Sequence, residues 1–559
     1  MILEHERLKI GKLAIYAGPL ATLAITPSLS FDPINPIKLL VISILGFTCL
    51  FALTRQLSWV RSQNFDKRSL YAVTFFLVQL ILVFLLSGTN PLQEFYGASG
   101  RNIGFLAYFG LLCLFLATTL TANKHTLDFL VHSLLVTGAI SVIYGLIQAL
   151  NLDPANWLNR YNPVIGFLGN PDFQSAFLGI VAVISSGMLF KTDQSKLKRI
   201  SLMSLAVFSL LVIQQTKALQ GFMVFAIGLV SILLLHIYQR GKWVFLSFAT
   251  SGSAILAFLA AFGSLDKGPL AKILHQNSVI YRGDYWHAGW KMSIEHPWFG
   301  VGLDSYGDWY RRSRTLAATL RRGPNITSDT AHNALLDFSA NGGFPLLLAY
   351  LFFILLTVLS VVKIFKDRKL VDPVFIALVG GWIAFQSQSI ISINQIGLTV
   401  WGWLFMGMII GYGLNNSKIE LTDKIPKIET KRRNKQSSSS SFISLLLVGG
   451  LVGFVTAFPN FVADSNFRAA LASQEVKRVI DASKKWPQDS VRIARVVGAL
   501  RENQLNNDAL ELAREGATKF PDFFGSWNEL SQLTNATPAE IVLAKVQMKR
   551  LDPHNPDLK

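Results

Sequence analysis

Thirteen apolar runs constrain this chain more than any other feature. They lie near 13–29, 36–53, 70–87, 103–121, 127–150, 173–190, 200–215, 219–238, 243–263, 344–362, 373–391, 396–414 and 442–460. At 1.5 Å per residue, runs of roughly 17–22 residues match a hydrocarbon core about 30 Å thick. Inside lipid every backbone N–H and C=O must be satisfied within the protein, so runs of this length read as helices. Only 15% of residues are charged, against about 25% in ordinary soluble domains. The mean hydropathy of +0.40 agrees. The expected fold class is all-α: a polytopic α-helical membrane protein. It has about 12 core spans plus one extra, a large extracytoplasmic loop and a C-terminal helical-repeat domain.

A net charge of +18 would suggest nucleic acid in a soluble protein, so its placement matters. Basic residues collect in alternate connections: Arg7/Lys9/Lys12, Arg55/Arg61/Lys67/Arg68, Lys124, Lys191–Arg199, Arg240/Lys242, Lys363–Lys369 and Lys418–Lys435. The intervening short connections hold at most one each (Lys38, Arg101, Arg160, Lys217). By the positive-inside rule the first set is cytoplasmic. The N-terminus is then expected inside, and both the 264–343 loop and everything after 460 outside. The surplus is topological, and no nucleic-acid partner is expected. Cys49 and Cys113 lie inside apolar runs and form no disulfide framework. The charged start, Met1 to Lys12, leads into an expected uncleaved first helix rather than a signal peptide.

This divides the chain into a membrane domain (1–415), a polar cytoplasmic linker (416–441), a thirteenth span (442–460) and an extracytoplasmic tail (461–559). In the tail, Trp486-Pro487, Phe520-Pro521 and Asp552-Pro553 recur at intervals close to the tetratricopeptide period of about 34 residues. About two units fit, and an irregular helical bundle is the alternative. Such units bind partners, so a protein partner through this domain is expected.

The long polar loop carries the candidate chemistry. It holds Tyr281-Arg282-Gly283-Asp284-Tyr285-Trp286, Pro297-Trp298-Phe299-Gly300-Val301-Gly302, the arginines 311, 312, 314, 321 and 322, and Ala331-His332-Asn333. There is no metal-ligand spacing and no phosphate-cradling glycine loop. Among the outer histidines (His275, His287, His296, His332 and His554), His332 alone begins an apolar stretch, which sets its ring near the headgroup plane. An imidazole is a natural base for a hydroxyl; a helix-start histidine bonded to backbone is the alternative. Arg282 either anchors at the interface with Tyr285, Trp286 and Trp290, or holds a phosphate in bidentate fashion. Arg311, Arg314, Arg321 and Arg322 are expected on one arc of a helix, facing solvent or headgroups. Lys217 sits in a very short turn, where an ionisable group is either functional or snorkelling. Arg101 is a weaker candidate, and Asp172 reads as a helix cap.

In this order the motifs resemble the O-antigen ligase and O-antigen polymerase family of bacterial envelope glycosyltransferases. The matching pieces are Gly169-Asn170-Pro171-Asp172, Thr216-Lys217-Ala218, Arg282 with Trp286, Pro297 through Tyr306, and His332-Asn333-Ala334-Leu335-Leu336 followed by Gly342-Gly343. The resemblance covers roughly residues 10–415. It implies a cofactor-free, metal-independent enzyme of the bacterial plasma membrane. The donor is an undecaprenyl-diphosphate-linked glycan and the acceptor a hydroxyl of a lipid, glycan or protein. His332 is then the base, with Arg282 and Lys217 binding the diphosphate. The lysine departs from the family's second arginine, keeping the charge but losing the fork. Arg101, Asp304, Arg311 and Arg314 are further candidates for substrate contact. The rival readings are a small-anion transporter, in which the cations line a pathway, and a non-catalytic scaffold that presents the tail.

Overall fold

The computed structural model describes residues 2–55, 67–155, 157, 162–269, 271–274, 277–367, 370–415 and 435–558. Arg61, Arg160, His275, Arg368, Lys369 and residues 416–434 of the expected linker lie outside the described residues. Every apolar run coincides with a helix. The first ten helices are α1 (Ile2–Leu23), α2 (Asn35–Thr54), α3 (Lys67–Leu86), the short α4 (Pro91–Tyr96), α5 (Phe105–Thr121), α6 (Lys124–Ala149), α7 (Pro171–Met188), α8 (Lys196–Thr216), α9 (Gln220–Gln239) and α10 (Trp243–Ser264). The loop folds into α11 (Ala271–Leu274), α12 (Asn277–Glu295), α13 (Tyr306–Ser313) and α14 (Leu316–Arg322). Then come α15 (Ala334–Asp367), α16 (Pro373–Ser389), α17 (Ile396–Ile410) and α18 (Lys435–Ser473). Among the described residues, nine helices are long and apolar enough to cross a membrane. The chain is a polytopic helical membrane protein.

Helix starts follow the sequence closely. Asn90, Asn170 and Asp372 each precede a proline at the first helical position and accept backbone N–H bonds with their side chains. An Asx cap and a proline that lacks the N–H it would otherwise orphan are the expected pair at this point. The first helix differs from its expected bounds: it starts within the charged segment and stops at Leu23. Lys38, counted above with the short connections, is wholly buried in α2. Its Nζ donates to the carbonyls of Ala21, Thr22 and Ala24 at 2.7, 2.8 and 3.0 Å, so the lysine caps the end of α1.

Helix α17 is the buried centre, with Trp401 and Trp403 enclosed. The indole N–H of Trp401 donates to Thr22 Oγ1 at 2.8 Å. At the opposite extreme, α10 exposes Phe245, Phe248 and Ile255 by 60% or more, a surface suited to hydrocarbon. Helix α18 lies along α2. A Cβ on Gly449 or Gly453 would come within 2.6 or 2.4 Å of the Phe47 and Ser43 carbonyl oxygens, so only glycine allows this approach.

The domain boundary expected at 461 falls inside a helix. α18 runs unbroken from the thirteenth apolar run to Ser473 and joins the core of the tail through Phe467 and Ala470. The tail continues as α19 (Val476–Ser483), α20 (Ser490–Glu502), α21 (Asn506–Lys519), α22 (Phe524–Ser531) and α23 (Pro538–Leu551). Helices α20 with α21, and α22 with α23, form two adjacent hairpins around a core of Ile493, Val497, Leu512, Trp527 and Leu551.

Candidate active site

A cavity of about 770 Å³ opens where the connections at one end of the bundle converge. Its lining includes Arg101, Asp172, Arg282, Asp329, His332 and Arg468. Arg101 comes from the loop before α5, Asp172 from the first turn of α7, Asp329 and His332 from the connection before α15, Arg282 from α12 and Arg468 from α18.

His332 is set by the turn before α15. Asn333 accepts the N–H of Leu336 at 3.1 Å and so caps that helix. The Ala331 N–H donates to Asp337 Oδ1 at 2.8 Å, and the His332 N–H to Thr330 Oγ1 at 3.1 Å. Between these fixed points His332 takes a left-handed backbone, φ +50°. A non-glycine residue in that region costs free energy and is held by its surroundings. The ring stacks on Tyr285 of α12, with centroids 5.2 Å apart. Tyr285 is itself fixed: its carbonyl accepts from the Tyr306 hydroxyl at 2.6 Å, and its own hydroxyl accepts from Arg322. Among the described residues neither imidazole nitrogen has a hydrogen-bond partner, which leaves both lone-pair chemistry and proton uptake open to the cavity. Burial pulls the His332 pKa down to about 4; Asp329 opposes that shift, and Arg282, Arg101 and Arg322 add to it. The ring is therefore a neutral imidazole near pH 7.

Arg282 sits one residue past Tyr281 on α12, whose buried stripe of Tyr285, Ala288 and Met292 packs toward α15. Among the described residues Arg282 forms no ion pair. Burial lowers its affinity for a proton, Asp172 acting the other way, so its charge gains from a bound anion. Asp172 is not the cap of its helix. Asn170 holds that place, accepting the Asp172 N–H at 2.8 Å, and the carboxylate faces the cavity.

Arg101 reaches the cavity from a loop that Asp304 organises. The Asp304 carboxylate accepts from Arg101 Nε at 2.7 Å, from the Ala98 N–H at 2.7 Å and from the Ile103 N–H at 3.2 Å. Burial works against the Arg101 charge, but Asp304, Asp329 and Asp337 outweigh it and raise its pKa. Asp304 is 5% exposed and outside the cavity. Its three hydrogen bonds position Arg101 and the loop around it. The Pro297–Tyr306 segment that carries Asp304 clasps the break in α15 at Gly343. The Val301 N–H donates to the Ala340 carbonyl at 2.8 Å, and the Phe344 N–H to the Pro297 carbonyl at 2.8 Å. Gly300 and Gly343 have φ +62° and +74° and sit too close to backbone for any Cβ.

One further expectation is corrected, and three candidates, Arg311, Arg314 and Lys217, lie outside the cavity lining. Arg311 and Arg314 do not share a helical arc with Arg321 and Arg322, because α13 ends at Ser313 and α14 begins at Leu316. Both are turned to the tail: Asp552 Oδ2 accepts from Arg311 Nη1 at 3.0 Å and from Arg314 Nη2 at 2.6 Å. With Asp552 wholly buried, these two arginines are taken and do not line the cavity. Lys217 is exposed at the end of α8 with φ +59°, and it too is absent from the lining. Sequence reasoning missed Asp329 and Arg468, which carry no motif.

Residues 202–351 match the model of the O-antigen ligase family. A comparison with curated proteins finds no match. Over those residues the chain carries an O-antigen ligase domain, which supports a ligase/polymerase-like enzymatic role at a membrane. The matched stretch contains Arg282 and His332, whereas Arg101, Asp172 and Arg468 lie outside it.

Proposed function

We propose that this cavity holds an undecaprenyl-diphosphate-linked glycan at the outer face of a bacterial plasma membrane, with the N-terminus cytoplasmic and the tail outside. The observation that supports this best is an imidazole and an arginine in one cavity, the imidazole nitrogens without hydrogen-bond partners and the arginine without an ion pair among the described residues. His332 takes the proton of an acceptor hydroxyl as its oxygen attacks the anomeric carbon. The carbon–oxygen bond to the diphosphate breaks, and the electron pair leaves with the diphosphate. Arg282 and Arg101 offset the charge that develops there. Attack opposite the departing group inverts the anomeric centre. Lys217 stays a donor-side candidate only if the turn after α8 moves inward on binding. The acceptor is a hydroxyl of a lipid, a glycan or a protein, and the docked tail is the surface a polymeric or protein acceptor would meet.

The test is transfer from a lipid-linked glycan in proteoliposomes. His332→Ala should remove transfer while Arg282→Ala lowers both rate and donor affinity. Full activity in both variants would rule the reading out. Solute flux without any glycan donor would favour the transporter instead.

A further inference from the structure

Helix α18 gives the cavity a residue that the membrane domain alone lacks. The helix continues past the apolar run and carries Asp464, Phe467 and Arg468 over the loop between α1 and α2. Asp464 Oδ2 accepts the Asp32 N–H at 2.9 Å, and the rings of Phe467 and Phe31 meet edge to face at 5.1 Å. Phe31 and Asp32 line the cavity, as does Arg468. The helix is thus pinned at the rim, one residue away from Arg468, an exposed side chain in the cavity lining.

Charge shows what that residue does. Three aspartates, Asp32, Asp172 and Asp329, line the cavity against three arginines, Arg101, Arg282 and Arg468. Without Arg468 the aspartates would be in the majority, and a doubly charged anion would meet repulsion. Arg101 is already shared with Asp304 and lies 4.0 Å from Asp329. The loop arginines 311, 312, 314 and 321 all have carboxylate partners. Among the described residues Arg468 has none.

We propose that Arg468 binds the anionic group of the donor, a diphosphate or a group of like charge, and that the C-terminal helix thereby completes the site in cis. This rests on the anion-binding reading above. A guanidinium offers a fork matched to phosphate oxygens, and it can take the place of a second cation that Lys217, outside the cavity, does not fill. The tail is then part of the enzyme's donor site, not only a platform beside it.

The experiment measures binding of undecaprenyl diphosphate, without sugar, to the full-length protein in nanodiscs. Arg468→Ala is expected to weaken binding about ten- to a hundredfold, the loss typical of a charged hydrogen bond. Arg468→Lys should recover part of the loss, and Lys477→Ala, an exposed cation on α19 outside the cavity, should bind like the wild type. Added salt should weaken the wild type more steeply than Arg468→Ala. If Arg282→Ala weakens binding while Arg468→Ala does not, Arg468 is only a solvated side chain and the anion site stands without it. If neither variant changes binding, the anion-site reading falls, and this inference with it.

Discussion

Two groups of arginines lie close in sequence yet do opposite things. Arg311 and Arg314 meet a carboxylate in a dry seam: Arg314 is 1% exposed and Asp552 not at all. Arg282 faces a cavity and has no ion pair among the described residues. The first pair has spent its charge on holding the tail against the loop, and Arg311 also lies over the Phe524 ring at 4.2 Å. Arg282 keeps its charge turned to the cavity, with Asp172 as the carboxylate that acts on it. A buried cation with a partner is evidence of structure; a half-buried cation without one, beside a neutral imidazole, is evidence of a binding site.

The comparison breaks first, and most visibly, at the chemistry. His332→Ala should lower kcat about 10²- to 10⁴-fold, the usual worth of a positioned base. Arg282→Ala should cost about 10²- to 10³-fold, as for other preorganised charge-stabilising groups. Neither should change thermal stability by much, and a matched fall in Tm would mean that the residues are structural. Transfer assays beside melting curves decide it.

The converse pattern is expected at the seam. Asp552→Ala leaves two guanidinium groups buried without their shared carboxylate, a change that costs about 3–5 kcal/mol when a buried pair is broken. Limited proteolysis should then cut the tail at lower temperature. Transfer should fall only as far as the tail loosens, because α18 carries Arg468 into the cavity. A variant with normal melting and lost transfer would move Asp552 from the first group to the second.

This contrast also measures what the sequence could tell. The apolar runs were readable because each is a local pattern, and local pattern also singled out Arg282 and His332, which line one cavity. Arg311 and Arg314 looked like free cations because their partner lies some 240 positions away. Asp304 looked like a contact residue, since nothing near it in sequence shows that it organises the loop at 98–103. Arg468 carried no signal at all: it belongs to an ordinary amphipathic stretch, and only the unbroken run of α18 through Pro459 brings it to the cavity. Lys217 shows the reverse case, a residue singled out by its position in a tight turn that lies outside the cavity lining.

The pH dependence sharpens the difference further. A base held near 4 stays neutral over most of the acid range, so kcat/KM should show its acid limb near 4 and not at the ordinary histidine value of 6.5. A bound diphosphate adds negative charge beside the ring and favours the imidazolium, so the limb in kcat should lie higher than that in kcat/KM. The same depression disfavours protonation of the folded state. Native stability from this group is present above 6.5 and is lost as pH falls through that value toward 4. A kcat/KM limb at 6.5 would mean that the ring is solvated in the working enzyme.

The smallest effect is expected at Glu94, on α4, which supports the site from a distance. Its Oε1 accepts from the Ser87 hydroxyl and from the Leu303 N–H at 3.2 Å, next to the residue that orders the Arg101 loop. Its Oε2 is buried with no partner among the described residues. Burial pushes this carboxyl up to about 7, against the two hydrogen bonds. A carboxyl raised in the folded state favours folding at low pH, and that contribution is lost as pH rises from the ordinary value of 4.5 through 7. Glu94→Gln keeps an accepting oxygen and removes the charge. It should leave Tm unchanged at pH 5 and raise it slightly at pH 8, with transfer retained at both. A fall in Tm at pH 8 would mean instead that the folded protein needs the ionised carboxylate, which would place Glu94 with Asp552 among the charges that hold the fold together.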